Sequence, residues 1–165
     1  RQMCIRDRYH DGMAKQSFSD RLKLRRTAAG LTQRQLAELS GVKQPLIAAI
    51  ERGTRAPSDA ARSALEQALR VRPSALLRAR RDDVLAAVAR VGARDPRVFG
   101  SVARGEDDPG SDLDLLVTFP SDADIVTLLT LEEELANILT VPVDVVSSGS
   151  SGRVLDRARV EAVPL

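Results

Sequence analysis

Residues 97–119 read Arg97-Val98-Phe99-Gly100-Ser101-Val102-Ala103-Arg104-Gly105, a loop over 106–111, and then Asp112-Leu113-Asp114-Leu115-Leu116-Val117-Thr118-Phe119. Arg97-Val98-Phe99 has the β-branched and aromatic character of a short strand, and it runs through Gly100-Ser101 into a helix start at Val102-Ala103-Arg104-Gly105. In the second stretch Leu113, Leu115, Val117 and Phe119 alternate, as the inner face of a buried strand does. Successive strand side chains point to opposite sides, so Asp112 and Asp114 share the other face. Two carboxylates side by side repel each other. A protein keeps such a pair where a divalent cation neutralises it, and hard oxygen ligands suit magnesium or manganese.

Working outward, residues 124–139 have the length and apolar content of a helix, and Val141-Pro142-Val143-Asp144-Val145-Val146 forms the next strand. Its inward valines leave Asp144 on the opposite face. If this strand pairs beside the one carrying Asp112, a third carboxylate joins the first two. Three carboxylates can share two metal ions, roughly 3.5–4 Å apart, that clamp the attacking and leaving oxygens of an in-line displacement.

Upstream the character changes. The 165-residue chain carries 25 Lys plus Arg against 23 Asp plus Glu, yet residues 14–72 hold 12 basic and 5 acidic side chains while residues 73–165 hold 10 and 16. A basic half and an acidic half on one chain suit two partners, a polyanion for the first and cations for the second. Val71-Arg72-Pro73-Ser74 is the expected joint. Ser74 is read as the cap of a helix running to about Val91, which would hold the halves in a semi-rigid relation because no Gly/Ser tether separates them. Ser147 to Gly152 is a flexible-looking loop.

The basic half reads as four short helices. Ser17 and Asp20 open the first, with Phe18, Leu22 and Ala29 inward and Gly30 closing it. Thr32 and Gln35 have capping-box spacing for a second over Gln33–Leu39, with Leu36 and Ala37 inward. Gly41 turns into a third over Gln44–Arg52, where Pro45 is tolerated in the first turn. Pro57 and Ser58 begin a fourth with Ala61, Leu65, Ala68 and Leu69 inward. Two short helices joined by a glycine turn are a helix-turn-helix signature.

Gly30-Leu31-Thr32-Gln33, Leu36-Ala37, Gly41-Val42 and Ile50-Glu51-Arg52-Gly53 with Arg55 and Pro57 resemble the phage-repressor (Cro/CI, or XRE) family over about the whole segment. In that family the third helix enters the major groove by its N-terminal end. The resemblance therefore implies Lys43, Gln44 and Leu46 at base edges, with Gln33 and Arg55 near phosphates. A Gln amide can pair bidentately with adenine, whereas Lys and Arg add counterion release without sequence information. Ala48 and Ala49 offer few base contacts, so specificity is expected to be modest or to depend on a homodimer on two-fold operator DNA.

In the acidic half, Gly100-Ser101, ten intervening residues and Asp112-x-Asp114 resemble the signature of the polymerase-beta-like nucleotidyltransferases, with Asp144 in the place of the third carboxylate. Phe99-Gly-Ser-Val-Ala-Arg104-Gly-Glu106, Ser111-Asp-Leu-Asp-Leu-Leu-Val117, Val143-Asp144-Val145-Val146 and Glu161-Ala-Val-Pro-Leu165 are similar to the minimal nucleotidyltransferases called MNT. The fold implied is an all-α helix-turn-helix domain, 14–72, followed by an α/β (α+β) nucleotidyltransferase domain, 73–165, with a small mixed sheet. The resemblance implies that Gly100, Ser101 and Arg104 meet the nucleotide triphosphate. It implies that Asp112, Asp114 and Asp144 hold magnesium, two ions in all, with Asp144 also assisting deprotonation of the acceptor hydroxyl. MNT proteins act as antitoxins of HEPN ribonuclease toxins, adenylylating a toxin tyrosine with ATP, and a fused repressor module suits binding to the operon's own promoter. The short ending after the last helix leaves no expected acceptor domain.

The alternatives are an inactive nucleotidyltransferase half that neutralises a toxin by stoichiometric binding, a small-molecule nucleotidyltransferase, and a transcription factor that senses nucleotide. Plainer readings are a helical bundle with a solvated charged face and turn-favouring acidic residues at a strand entrance. Arg104 has its own, as a surface ion pair with Glu106 or Asp108.

Gln2-Met3-Cys4-Ile5-Arg6-Asp7 resembles the conceptual translation of a transposase adapter used to prepare sequencing libraries, so residues 1–13 are set aside as that or as a disordered basic leader, with Met13 or a lost upstream residue as the start. Cys4, Tyr9 and His10 receive no role. His10 is the only histidine, so imidazole chemistry has no candidate. One Cys excludes an internal disulfide, and no apolar run approaches the roughly 20 residues that span a bilayer. A soluble cytoplasmic protein with no membrane partner is the expectation.

Overall fold

A computed structural model describes residues 16–151 and 153–165; Cys4, Tyr9, His10, Met13 and Gly152 lie outside the described residues. Ser17, Thr32 and Ser58 each accept the backbone N–H three residues on, opening α1 (Phe18–Ala28), α2 (Gln33–Ser40) and α4 (Asp59–Ala68). At α2 the capping box is complete, since the Gln35 side chain accepts the Thr32 N–H. Helix α3 (Gln44–Glu51) starts with Pro45 in its first turn, where a missing N–H leaves no bond unmade. Leu36, Ile47, Ile50 and Leu65 are fully buried between these helices, joined by Leu22 and Leu69. Each such side chain stabilises the module by about 1.5–3 kcal/mol. Ala29, expected inward, is instead the exposed C-cap of α1, and Ala28 one residue earlier packs with Leu24 on the core of the second half.

The helix expected from Ser74 to Val91 is two helices, α5 (Pro73–Ala79) and α6 (Arg81–Arg90). Between them Arg80 leaves helical geometry at φ −125, ψ 22, and its N–H is shared by the Leu76 and Leu77 carbonyls. The apolar stripe runs unbroken through Leu76, Leu77, Val84, Ala87 and Val88, so periodicity carries no sign of the break. Tertiary docking decides it: α5 packs on α1, and α6 on the first strand. Nor is Ser74 the cap. It is the second residue of α5, and its N–H is accepted by the Asp107 carboxylate 33 residues away at 2.9 Å.

The second half is a four-stranded mixed sheet of β1 (Arg94–Phe99), β2 (Leu113–Thr118), β3 (Val143–Ser147) and β4 (Val163–Pro164), in the order β3-β2-β1-β4. Strand β1 is antiparallel to β2 and β4, and β2 is parallel to β3. A short helix, α7 (Gly100–Arg104), follows β1, starting two residues earlier than expected; α8 (Ile125–Leu139) is the crossover between the parallel pair, and α9 (Arg153–Glu161) precedes β4. One sheet face, with Leu113, Leu115, Val117, Val143 and Val145, packs on Leu131, Leu135 and Leu139 of α8 and on α5 and α6. The other is covered only in part, by Leu155 and Ala158 of α9 over Phe99 and Leu116. That thinly covered face carries the aspartates.

The halves are also joined directly. Arg25 of α1 donates from Nε to Thr140 Oγ1 at 3.0 Å, and from its terminal nitrogen to the Thr140 carbonyl, at the end of α8. Burial, and then the like charge of Arg21, lowers the Arg25 pKa from its ordinary value, with Glu66 opposing. Among the described residues no helix is long and apolar enough to cross a membrane.

Candidate active site and DNA-reading face

Strand register builds the carboxylate face. Asp114 of β2 stands opposite Phe99 of β1 and beside Asp144 of β3. Neighbouring strands run about 4.7–4.9 Å apart, so Asp114 and Asp144 are lateral neighbours on one face. Asp112, immediately before β2, has the same parity at the outer margin. It is exposed, as is Asp144, while Asp114 is half-buried. No Arg or Lys among the described residues forms a salt bridge with Asp112 or Asp144. Nor, among the described residues, do any three His, Cys, Asp or Glu side chains form a group that could hold a metal ion. Mutual repulsion of like charges opposes such convergence. The donor set, carboxylate oxygen alone with no thiolate or imidazole, still fits a hard divalent cation.

The Gly100 backbone presses on this face. Its φ is +70, and a Cβ there would lie 2.1 Å from Asp114 Oδ2, so any other residue would force the carboxylate or the turn to move. Ser101, half-buried, stands in the first turn of α7, where the N-cap residue Phe99 supplies no side-chain cap. Of the expected nucleotide-binding pair, Gly100 is thus brought against Asp114, and Ser101 follows it in the chain.

Arg104 is placed differently. Its Nε donates to Glu106 at 2.7 Å and a terminal nitrogen donates to Glu161 of α9 at 2.8 Å. The Glu106 hydrogen bond, and further down the Glu161 charge, hold the guanidinium pKa above its ordinary value against a desolvation that lowers it. The ion-pair alternative raised for Arg104 is therefore formed with Glu106, and Glu161 is an unforeseen second partner because 57 residues separate the two.

The nucleotidyltransferase domain family matches residues 89–161. A solved chain described as "Structure of putative minimal nucleotidyltransferase" is 46% identical, with a TM-score of 0.50, and this chain covers 95% of it over 56% of its own length. The chain belongs to the nucleotidyltransferase family. Among curated nucleotidyltransferase relatives, "Putative protein adenylyltransferase MJ0435" of Methanocaldococcus jannaschii is 38% identical over 44% of this chain and 78% of its own length. "Protein adenylyltransferase MntA" of Thermococcus cleftensis is 41% identical over 37% of this chain, which spans only 62% of the length of that relative. The helix-turn-helix family matches residues 22–76, so this nucleotidyltransferase carries a helix-turn-helix domain in its N-terminal half.

In that domain the polar residues hold one another. Gln44 Nε2 donates to Gln33 Oε1 at 2.9 Å, Gln33 Nε2 donates to Glu51 Oε2 at 2.9 Å, and Arg26 donates to both Glu51 oxygens at 2.6 and 3.0 Å. The Glu51 side chain is 4% exposed. Lys43 and Gln44 stand exposed at the start of α3, and Arg55 is exposed in the following turn. Leu46 is half-buried against the helical core, with less of its side chain available to a base edge than a solvated residue would offer. Glu51 enters the sequence reading only within the Ile50-Glu51-Arg52-Gly53 motif, with no role of its own, and Arg26 carries no local signal.

Two concavities, about 260 and 490 Å³, lie elsewhere, between α1 and α4 and at the far end of β2 and β3. Neither is lined by Asp112, Asp114 or Asp144, so the site is assigned from its carboxylates and not from cavity size.

Proposed function

We propose that this chain is a DNA-binding antitoxin that transfers AMP from ATP to a tyrosine of a cognate HEPN ribonuclease toxin and represses its own operon, residues 14–72 reading the promoter and residues 73–165 carrying out the transfer. The observation that carries the reading is the Asp114–Asp144 register with the Gly100 turn packed against Asp114: the approach of a glycine backbone to paired carboxylates suits a triphosphate escorted by divalent cations. The names of the adenylyltransferase relatives and the helix-turn-helix match support the two halves of the proposal.

Asp112, Asp114 and Asp144 would hold two magnesium ions, which when bound neutralise charge on the triphosphate and on the acceptor oxygen. The Gly100 and Ser101 backbone amides and the Ser101 hydroxyl bind phosphate oxygens. Asp144, exposed at the margin, accepts the proton of the tyrosine hydroxyl as its oxygen bonds to the α-phosphorus and pyrophosphate leaves. No covalent enzyme intermediate is needed, because positioning and charge neutralisation at phosphorus supply the acceleration. Arg104 reaches phosphate only after exchanging Glu106 or Glu161 for it.

The test incubates α-labelled ATP, magnesium, this protein and the product of the adjoining reading frame. Label on that product, lost when Asp112→Ala and Asp114→Ala are combined, is the expected result. Label absent, or unchanged in the double variant, overturns the transferase reading; toxin neutralisation without label identifies the stoichiometric alternative.

A further inference from the structure

Asp107 is a charged residue buried at 2% exposure, and nothing in the transfer chemistry uses it. It lies midway along the loop between the Gly100-Ser101 turn and Asp112. Its Oδ2 accepts the Ser74 N–H at 2.9 Å, in the first turn of α5. That helix has no side-chain cap of its own, Arg72 being its N-cap residue, so a carboxylate from the loop takes the place of one. Around Asp107 the loop is bonded at both ends: Glu106 N–H to the Ser101 carbonyl at 2.9 Å, and Asp108 N–H to Ser111 Oγ at 2.9 Å with Gly110 N–H to Asp108 Oδ1 at 2.6 Å. The residue after this turn is Asp112.

We propose that Asp107 is a positioning residue: it clamps the loop that carries Asp112 to the first turn of α5, and so sets the distance between the Gly100-Ser101 turn and the outermost carboxylate. The clamp works through its acceptor atom. Asp112 stands at the solvent margin with no salt bridge to a cationic side chain among the described residues, so its place depends on the backbone on either side, β2 after it and this loop before it. Helix α5 is firm ground for such an anchor, because Pro73 is buried and Leu76 and Leu77 lie in the core of the nucleotidyltransferase half. The same helix packs on α1 of the helix-turn-helix half, so the clamp also makes the junction between the halves part of the site's frame.

This rests on the proposed use of Asp112 as a magnesium ligand, and the experiment separates the two. Binding of a fluorescent ATP analogue is titrated with magnesium in the full chain, for wild type, Asp107→Ala and Asp107→Asn, with thermal melting to show that each is folded. Wild type is expected to bind in a magnesium-dependent way. Asp107→Ala should need about tenfold more magnesium for half-saturation while reaching the same plateau, and Asp107→Asn, which keeps an acceptor oxygen, should stay within about threefold of wild type. If Asp107→Ala unfolds, Asp107→Ser, too short to reach Ser74, replaces it with the same expected shift. A folded truncation with the wild-type magnesium requirement overturns the clamp, as does an Asn variant shifted as far as Ala, which would mean that the charge acts directly. Wild-type binding that ignores magnesium overturns the metal reading itself.

Discussion

The two halves handle charge in opposite ways. In the helix-turn-helix half, Gln44, Gln33, Glu51 and Arg26 form one chain of hydrogen bonds in which the buried carboxylate meets a guanidinium at 2.6 Å. In the nucleotidyltransferase half, Asp112 and Asp144 stand exposed without a cationic side chain among the described residues, and backbone register and the Gly100 turn hold the aspartates on one face. A surface that reads DNA needs its amides aimed before the ligand arrives, and internal partners aim them. A surface that binds cations needs carboxylates left for the ligand, so their positions come from the main chain. Like charges brought near one another cost stability, which the Leu113, Leu115 and Leu131 core on the reverse face offsets.

The largest expected effect breaks the carboxylate side of this contrast. Combining Asp112→Ala with Asp114→Ala should cut AMP transfer about a thousandfold or more, roughly 4 kcal/mol of barrier, while urea denaturation still shows a cooperatively folded protein. Marked destabilisation would make these structural residues. On the other side, Glu51→Ala leaves the half-buried Arg26 without its carboxylate partner, bonded only to the Leu31 carbonyl, and releases Gln33. It should destabilise the helical half by about 3–5 kcal/mol, read as a lowered urea midpoint. Gly100→Ala tests the main-chain side: positive φ and the clash with Asp114 should cost about 1–3 kcal/mol and most of the activity together. Gln44→Ala should lose about 1–3 kcal/mol of discrimination between operator and non-operator DNA, whereas Lys43→Ala should weaken both equally and reduce the salt slope by about one.

The smallest effect concerns Asp124. Its carboxylate caps α8 by accepting the Thr127 N–H and hydroxyl, each at 2.8 Å, and the backbone bond foremost holds its pKa below the ordinary value. The stability it lends is present above the ordinary carboxylate pKa and fades as pH falls through the lowered one. Asp124→Asn should therefore flatten the acid limb of the melting curve only slightly.

Much of this was legible beforehand because it is local. Thr32 and Gln35 marked the start of α2, Asp124 to Leu139 marked α8, and alternation along 112–119 put Asp112 and Asp114 on one face. The Asp144 strand was expected beside them only conditionally, since no local signal states which strands pair. For Arg104 the sequence offers both phosphate and an ion pair with Glu106 or Asp108; the Glu106 pair forms, and Glu161 is a further partner across the fold. The break at Arg80 has no local signal because its apolar stripe is continuous, and Asp107 has none because one Asp in an acidic loop looks solvated.

The amino-acid sequence by itself determined the caps of α1, α2 and α4 and the face on which each aspartate lies, because periodicity and capping act within a few residues. Only the tertiary structure decided that β3 lies parallel to β2 with Asp144 beside Asp114, that Arg25 ties α1 to Thr140, and that Asp107 caps a helix 33 residues away. Those contacts depend on how buried faces dock, and docking is a property of the whole chain.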